Sequence, residues 1–370
     1  MIKKALLVAT VQSHIGQFHK PLMKLLKDNG WEVHVAARDN LAEKDGLKLE
    51  YPDKIFNIDF QRSPFDPRNL KAYCMLKKII NDGNYDVVHC NTPVGGLLTR
   101  LASRKVRKQG TKVIYTAHGF HFYHGAPLKN WLIYYPIEKW MSSYTDILVT
   151  ITEEDFLLAK KKFFCPVFHL HGLGANSAKY SSISQKEQEK QKQELGLHGR
   201  IILNVGELLP NKNQKAAIMA MKYILKEYPD CHLLIAGNGP EKQNLEDLIK
   251  KNNLEQAVTL LGYTTKLDKY MQVCDLLIAC SYREGLPFNL MEAMLCGKPI
   301  VASHNRGHNE LVKEGQNGYL VNPDDYQDYA MKACEIMSGN KDYKNECLTI
   351  GNMYRDVNVV EELKNLYEID

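Results

Sequence analysis

Two carboxylates, Glu284 and Glu292, stand eight positions apart in the segment 281–303, SYREGLPFNLMEAMLCGKPIVAS. The first precedes a Gly-Leu-Pro turn, and the second falls inside the helix that the next apolar spacing predicts. Across Gly285, Leu286, Pro287, Phe288 and Asn289, the start of that helix can aim free backbone N-H groups at an anion, where the helix dipole favours negative charge. A capping carboxylate followed by an exposed helical Glu is the bland alternative. Lys212, in VGELLPNKNQ, offers a cation in a loop, or is only a solvated lysine. His118 follows the apolar run KVIYTA and precedes Gly119, where a neutral imidazole can hydrogen-bond hydroxyls or orient a reaction centre. His118, His121 and His124 step by three and could hold a metal, but the interleaved Phe120, Phe122 and Tyr123 point to a packed loop. No D-x-D element, a common way of holding a metal diphosphate, occurs in the chain.

These residues need elements to position them. Residues 5–11 (ALLVATV) predict a strand ending in a polar turn, and residues 17–29 place Phe18, Leu22, Leu25 and Leu26 at helical spacing before Gly30. WEVHVAA predicts the next strand. The same order recurs with IILNVG at 201–206, a polar turn to Lys212, a helix from about Gln214 to Lys226, and the strand CHLLIAG. Further buried strands are expected in YDVVHC, KVIYTAHGF, AVTLLGY, DLLIAC and PIVAS, with a helix from about Val94 to Arg107. Apolar runs this continuous belong to parallel strands covered on both faces, so the expectation is an α/β chain of two doubly wound, Rossmann-like domains. The boundary is expected near residue 175, giving an N-terminal domain at 1–175 and a C-terminal domain at 176–356. Residues 175–193 read as a polar connector, and a last amphipathic helix at about 357–370 packs back on the first domain.

Composition narrows the class. The 370 residues are 44% hydrophobic and 25% charged, which is ordinary globular content and long enough for two cores. Nine cysteines without a C-x-x-C pair fit neither a disulfide framework nor a zinc site and suggest a reducing, cytoplasmic setting. The net charge of +5 divides unevenly: residues 1–180 hold 26 Lys and Arg against 16 Asp and Glu, and the remainder holds 22 against 27. A basic front half suits an anionic surface or substrate. With no recognition motif beside it, nucleic acid is a poor partner. No apolar run approaches the length needed to cross a bilayer, so a membrane role would be peripheral. The aromatics from Phe120 to Met141 and the basic clusters at 104–108 and 160–162 could rest on headgroups, although Pro136 interrupts the helical pattern there.

The E-x7-E element in its E-G-L-P setting resembles the signature of the family 4 retaining glycosyltransferases, which have the two-domain GT-B fold. The front half, with VATVQSHIGQFHKPLMKLLKDNGWEVHVAA and YTAHGFHFYHGAPLKNWLIYYPIEKW, resembles the capsular and exopolysaccharide branch, which extends lipid-linked glycans at the cytoplasmic membrane face. The resemblance implies two domains facing across a cleft and a nucleotide-sugar donor, expected to be a UDP-sugar. Glu284 would then bind hydroxyls of the transferred sugar, Glu292 the ribose, and His118 the sugar from the opposite domain. Lys212 matches the diphosphate lysine, and Gly262 and Tyr263 lie where the base should sit. Gly16 lies where a glycine-containing loop nears the phosphates, although the family's double glycine is absent. A further departure is Glu207, which stands where an arginine is common. No cofactor and no metal are expected. The acceptor would be a lipid-diphosphate-linked glycan. A sugar-nucleotide epimerase of the same fold, or a noncatalytic nucleotide-sugar binder, are the alternatives.

Overall fold

The computed structural model describes residues 2–43 and 47–369, and it divides into two units, one of residues 1–174 and 359–370 and the other of residues 175–358. The first contains seven parallel strands: β1 (Lys4–Val11), β2 (Glu32–Arg38), β3 (Lys54–Asn57), β4 (Val87–Asn91), β5 (Lys112–Ala117), β6 (Ile147–Thr150) and β7 (Val167–His169), in spatial order β3-β2-β1-β4-β5-β6-β7. The second contains six: β8 (Arg200–Val205), β9 (Cys231–Ala236), β10 (Val258–Gly262), β11 (Leu276–Ala279), β12 (Ile300–Ser303) and β13 (Gly318–Val321), in order β10-β9-β8-β11-β12-β13. Every residue of β4, β11 and β12 is buried, because helices cover both faces. In each sheet the winding reverses between two central strands, β1 beside β4 and β8 beside β11.

The doubly wound reading holds in both units, and local expectations fail where their physical signals were weak. The polar turn expected after β1 is instead a helix, Gln12–Phe18, followed at once by Lys20–Asp28. Among the expected connector residues, Gln185–Glu194 are helical although the segment lacks an apolar stripe. Ser184 caps this helix by accepting the N-H of Glu187 at 3.3 Å. Gln188 and Gln191 then donate to the carbonyls of Gln272 and Lys269, each at 2.9 Å. Amide hydrogen bonds replace the missing hydrophobic face. The helix Leu128–Ser142 runs through Pro136, which is exposed, so the carbonyl freed by its missing N-H can reach water. The expected helix at 94–107 divides at Ser103 into Pro93–Ala102 and Arg104–Arg107.

The last helix, Asp356–Tyr367, buries Val359, Leu363, Leu366 and Tyr367 in the core of the first unit beside Leu22, Leu26 and Trp31. Its anchor is polar as well as apolar: the Tyr367 hydroxyl lies 2.7 Å from His89 Nδ1, and His89 Nε2 lies 2.7 Å from Thr116 Oγ1. The two segments of the first unit, 1–174 and 359–370, therefore share one core although the whole second unit lies between them in sequence. Replacing Leu363, 5% exposed, by Ala should cost about 2–4 kcal/mol of stability in chemical denaturation, with the far-UV spectrum of the folded state unchanged.

Candidate functional site

In a doubly wound sheet the turns beyond the carboxyl ends of the strands diverge where the winding reverses, leaving a crevice. In the second unit those turns follow β8 and β11, and they are fastened to each other. The Tyr282 N-H donates to the Asn211 carbonyl at 2.8 Å, and Asn211 Nδ2 donates to the Arg283 carbonyl at 3.0 Å. Between them Lys212 Nζ and Glu284 Oε1 form an ion pair at 2.5 Å, with side chains 25% and 15% exposed, so the pair is shielded yet reachable. Close backbone approach makes this geometry possible. A Cβ on Gly237, at φ +150°, would lie 1.9 Å from the Gly206 carbonyl oxygen, and one on Gly307 would lie 2.2 Å from that of Gly285.

The helix Phe288–Leu295 starts here with Pro287 at its N-cap position and no side-chain cap. Asn289 is fixed by donating from Nδ2 to the Val205 carbonyl at 3.0 Å, while its Oδ1 accepts the Leu290 N-H at 3.1 Å. That ties the helix start to the end of β8. Gly285 is exposed, Leu286 and Phe288 are half-buried, and Pro287 is buried. Glu292, one turn into the helix, is half-buried, and burial raises its carboxyl to about 7, opposed by Lys179 and by a hydrogen bond from Tyr180. Gly262 ends β10 at φ +68°, a conformation that favours glycine, and Tyr263 beyond it is 71% exposed. The Glu207 side chain is exposed to solvent, and its backbone carbonyl accepts from Gln214 Nε2 at 3.1 Å. Lys212 therefore finds its carboxylate in Glu284.

Sequence reading passed over Tyr180 and His308. Tyr180 lies in a polar stretch with no periodic signal. His308 lies in the short helix Arg306–Leu311 that follows β12, close enough to the carboxyl end of that strand for the crevice position to point to it. His308 is fully buried; its Nδ1 sits 2.9 Å from the Ser303 carbonyl oxygen and from Asn305 Nδ2, while Nε2 has no hydrogen-bond partner among the described residues. Burial lowers its pKa to about 4, so the ring is neutral although Glu284 acts to raise it.

In the first unit His118 leaves β5 and meets two other imidazoles. Its Nε2 is 3.1 Å from His14 Nε2 and 3.1 Å from Asn91 Oδ1, and ring nitrogens of His14, His19 and His118 all lie within 4.8 Å of one another. His121 and His124 do not join this group: His121 is exposed and stacks on Tyr134, and Phe120 and Phe122 are buried and stacked at 4.7 Å. Thr92, where the chain leaves β4, holds φ +65°, a rare conformation for a β-branched residue, with its Oγ1 2.8 Å from that of Thr10. Gly16 lies buried within the helix Gln12–Phe18, where an added Cβ would be 3.3 Å from the side chains of Leu47 and Leu49.

Known proteins bear on this arrangement. Residues 185–347 match the family model for glycosyl transferases group 1, and residues 4–152 match that for glycosyl transferase 4-like proteins. The chain is 40% identical over 379 aligned positions to the putative glycosyltransferase EpsD of Bacillus subtilis, covering 99% of this chain and 97% of that one. It is 27% identical to the UDP-Gal:alpha-D-GlcNAc-diphosphoundecaprenol alpha-1,3-galactosyltransferase of Escherichia coli, over 81% and 79% of the two chains. Among solved structures, Anabaena Alr3699/HepE in complex with UDP superposes with a TM-score of 0.75 at 20% identity, covering 99% of this chain and all of that one. The fold is GT-B.

The raised carboxyl of Glu292 has a consequence for stability. An acid whose folded pKa lies above its unfolded value favours the folded state at low pH and loses that contribution as pH rises. Between about pH 4.5 and pH 7 the ligand-free protein should therefore lose on the order of 2 kcal/mol from this group. Denaturant titrations across that window should show the loss in the native protein and not in Glu292→Gln.

Proposed function

The chain belongs to the group 1 glycosyltransferases, and from that premise we propose that it moves a sugar, with retention of configuration, from a UDP-sugar to a hydroxyl of a lipid-diphosphate-linked glycan. The observation that carries the reading is the Lys212–Glu284 pair beside an uncapped helix start. Without a donor, each charge satisfies the other. A donor offers a better exchange, because the ammonium and the helix N-H groups can take the diphosphate while the carboxylate takes sugar hydroxyls. Glu292 takes the ribose, Gly262 and Tyr263 flank the base, and His118 acts on the sugar as a neutral imidazole. Burial and its neighbouring histidines hold its pKa well below the usual range.

In the proposed reaction the acceptor oxygen bonds to the anomeric carbon on the face from which the bond to the β-phosphate breaks. The bonding pair leaves with UDP, and a phosphate oxygen takes the acceptor proton. Lys212 and the helix dipole stabilise the developing charge, so no divalent metal or cofactor is required. The family's usual arginine is absent, and the exposed Glu207 imposes no buried negative charge on Lys212.

The second part of the proposal concerns the acceptor. The helix Leu128–Ser142 presents Leu128, Leu132, Ile133, Ile137 and Trp140 to solvent, 39–73% exposed, while Trp131, Tyr134 and Tyr135 pack inward. Lys129 belongs to the same helix, and Lys160 to Lys162 end the helix Glu153–Lys162 of the same unit. Such a face suits the headgroup boundary of the cytoplasmic membrane surface, where a lipid-linked acceptor resides. No helix among the described residues is long and apolar enough to cross a membrane.

Three tests follow from this reading. Glu284→Ala should lower transfer from UDP-sugars to polyprenyl-diphosphate saccharides by at least about a hundredfold without changing the melting temperature, and Lys212→Ala should weaken UDP binding by about tenfold or more. Normal turnover by Glu284→Ala, or conversion of the sugar nucleotide without any acceptor, would contradict the assignment. In sedimentation with phosphatidylglycerol vesicles, Leu132→Glu combined with Trp140→Glu should abolish pelleting that the native protein shows, with UDP binding retained.

A further inference from the structure

We infer that His14, His19 and His118 form a binding site for a late first-row divalent cation, with zinc as the type ion. The first ground is geometry. Tetrahedral zinc bonded to imidazole nitrogens at about 2.0–2.1 Å sets those nitrogens roughly 3.3–3.4 Å apart. His14 and His118 already stand at 3.1 Å, and all three rings offer nitrogens within 4.8 Å, so small side-chain adjustments complete the set.

The second ground is an unmet bond. His19 is 3% exposed, and its Nε2 has no hydrogen-bond partner among the described residues. A buried polar atom left unpaired is costly and calls for a partner. A cation shared with His14 and His118 supplies one. The rings also sit on fixed supports, since His118 directly follows β5, and His14 and His19 belong to and follow the helix Gln12–Phe18.

The chemistry selects the ion. Three nitrogen donors without a carboxylate suit zinc, copper or nickel and are poor ligands for magnesium, which demands oxygen. Burial keeps the rings neutral, as ligation requires. Loading moves the His118 proton from Nε2, where it can serve Asn91 Oδ1, to Nδ1. Three protein ligands leave a fourth position for water or another oxygen. His118 is common to this site and to the proposed transfer, whose charge stabilisation comes from Lys212 and not from the ion.

The test uses the full chain, stripped with chelator and titrated with Co2+ while visible absorption is recorded, then back-titrated with Zn2+. One equivalent of Co2+ should give the intense bands of a four-coordinate ion, and Zn2+ should bleach them. His14→Ala, which alters a half-exposed ring, and His19→Ala should each weaken binding by at least about tenfold, the loss typical even of an outer partner. His121→Ala with His124→Ala should leave binding unchanged. Circular dichroism and melting identify any variant that fails to fold, in which case His14→Ala decides. Absence of saturable uptake, or equal uptake by the His14, His19 and His118 triple alanine variant, would overturn the inference.

Discussion

A parallel strand buried on both faces can leave its sheet only at the carboxyl edge, and where the winding reverses, its neighbour's exit turn runs the other way. That constraint operates twice in this chain. At β8 and β11 it brings Lys212 and Glu284 together from positions 72 residues apart. At β1, β4 and β5 it gathers His14, Thr92, Asn91 and His118. The sheets create these junctions before any individual side chain is chosen.

Electrostatics then distinguishes the two junctions. In the second unit a shielded ion pair lies beside a helix start, a place suited to opposed demands for a cation and a hydroxyl acceptor. Glu292 pays for its burial with a raised carboxyl and is steadied by Tyr180. In the first unit the groups are imidazoles that burial keeps neutral, with Asn91 supplying an oxygen. The same backbone geometry thus presents a charged exchange site in one unit and a cluster of lone pairs in the other.

Much of this was legible because parallel strands announce themselves as apolar runs. ALLVATV, YDVVHC, IILNVG and DLLIAC all become central strands, and the helix at Gln214–Glu227 falls within a residue of its expected end. β3, with three of its four residues exposed and the fourth half-buried, carries no such run, and β7 has only three residues. The helix at Gln185–Glu194 was hidden because amides, rather than an apolar stripe, hold it. Within the site, Glu284, Glu292 and Lys212 stood out through their motif and turns. His14 and His19 did not, because their meeting with His118 requires the pairing of β1, β4 and β5, which one-dimensional spacing cannot display.

The central claim is that the second unit carries a UDP site whose charge is supplied by the protein. Calorimetric titration with UDP, GDP, ADP and CDP in the presence of EDTA tests it most directly. The account predicts saturable binding of one UDP per chain, tighter than any other nucleoside diphosphate and unaltered when magnesium replaces EDTA. Binding that appears only with magnesium, or that does not discriminate among the four nucleotides, would contradict it.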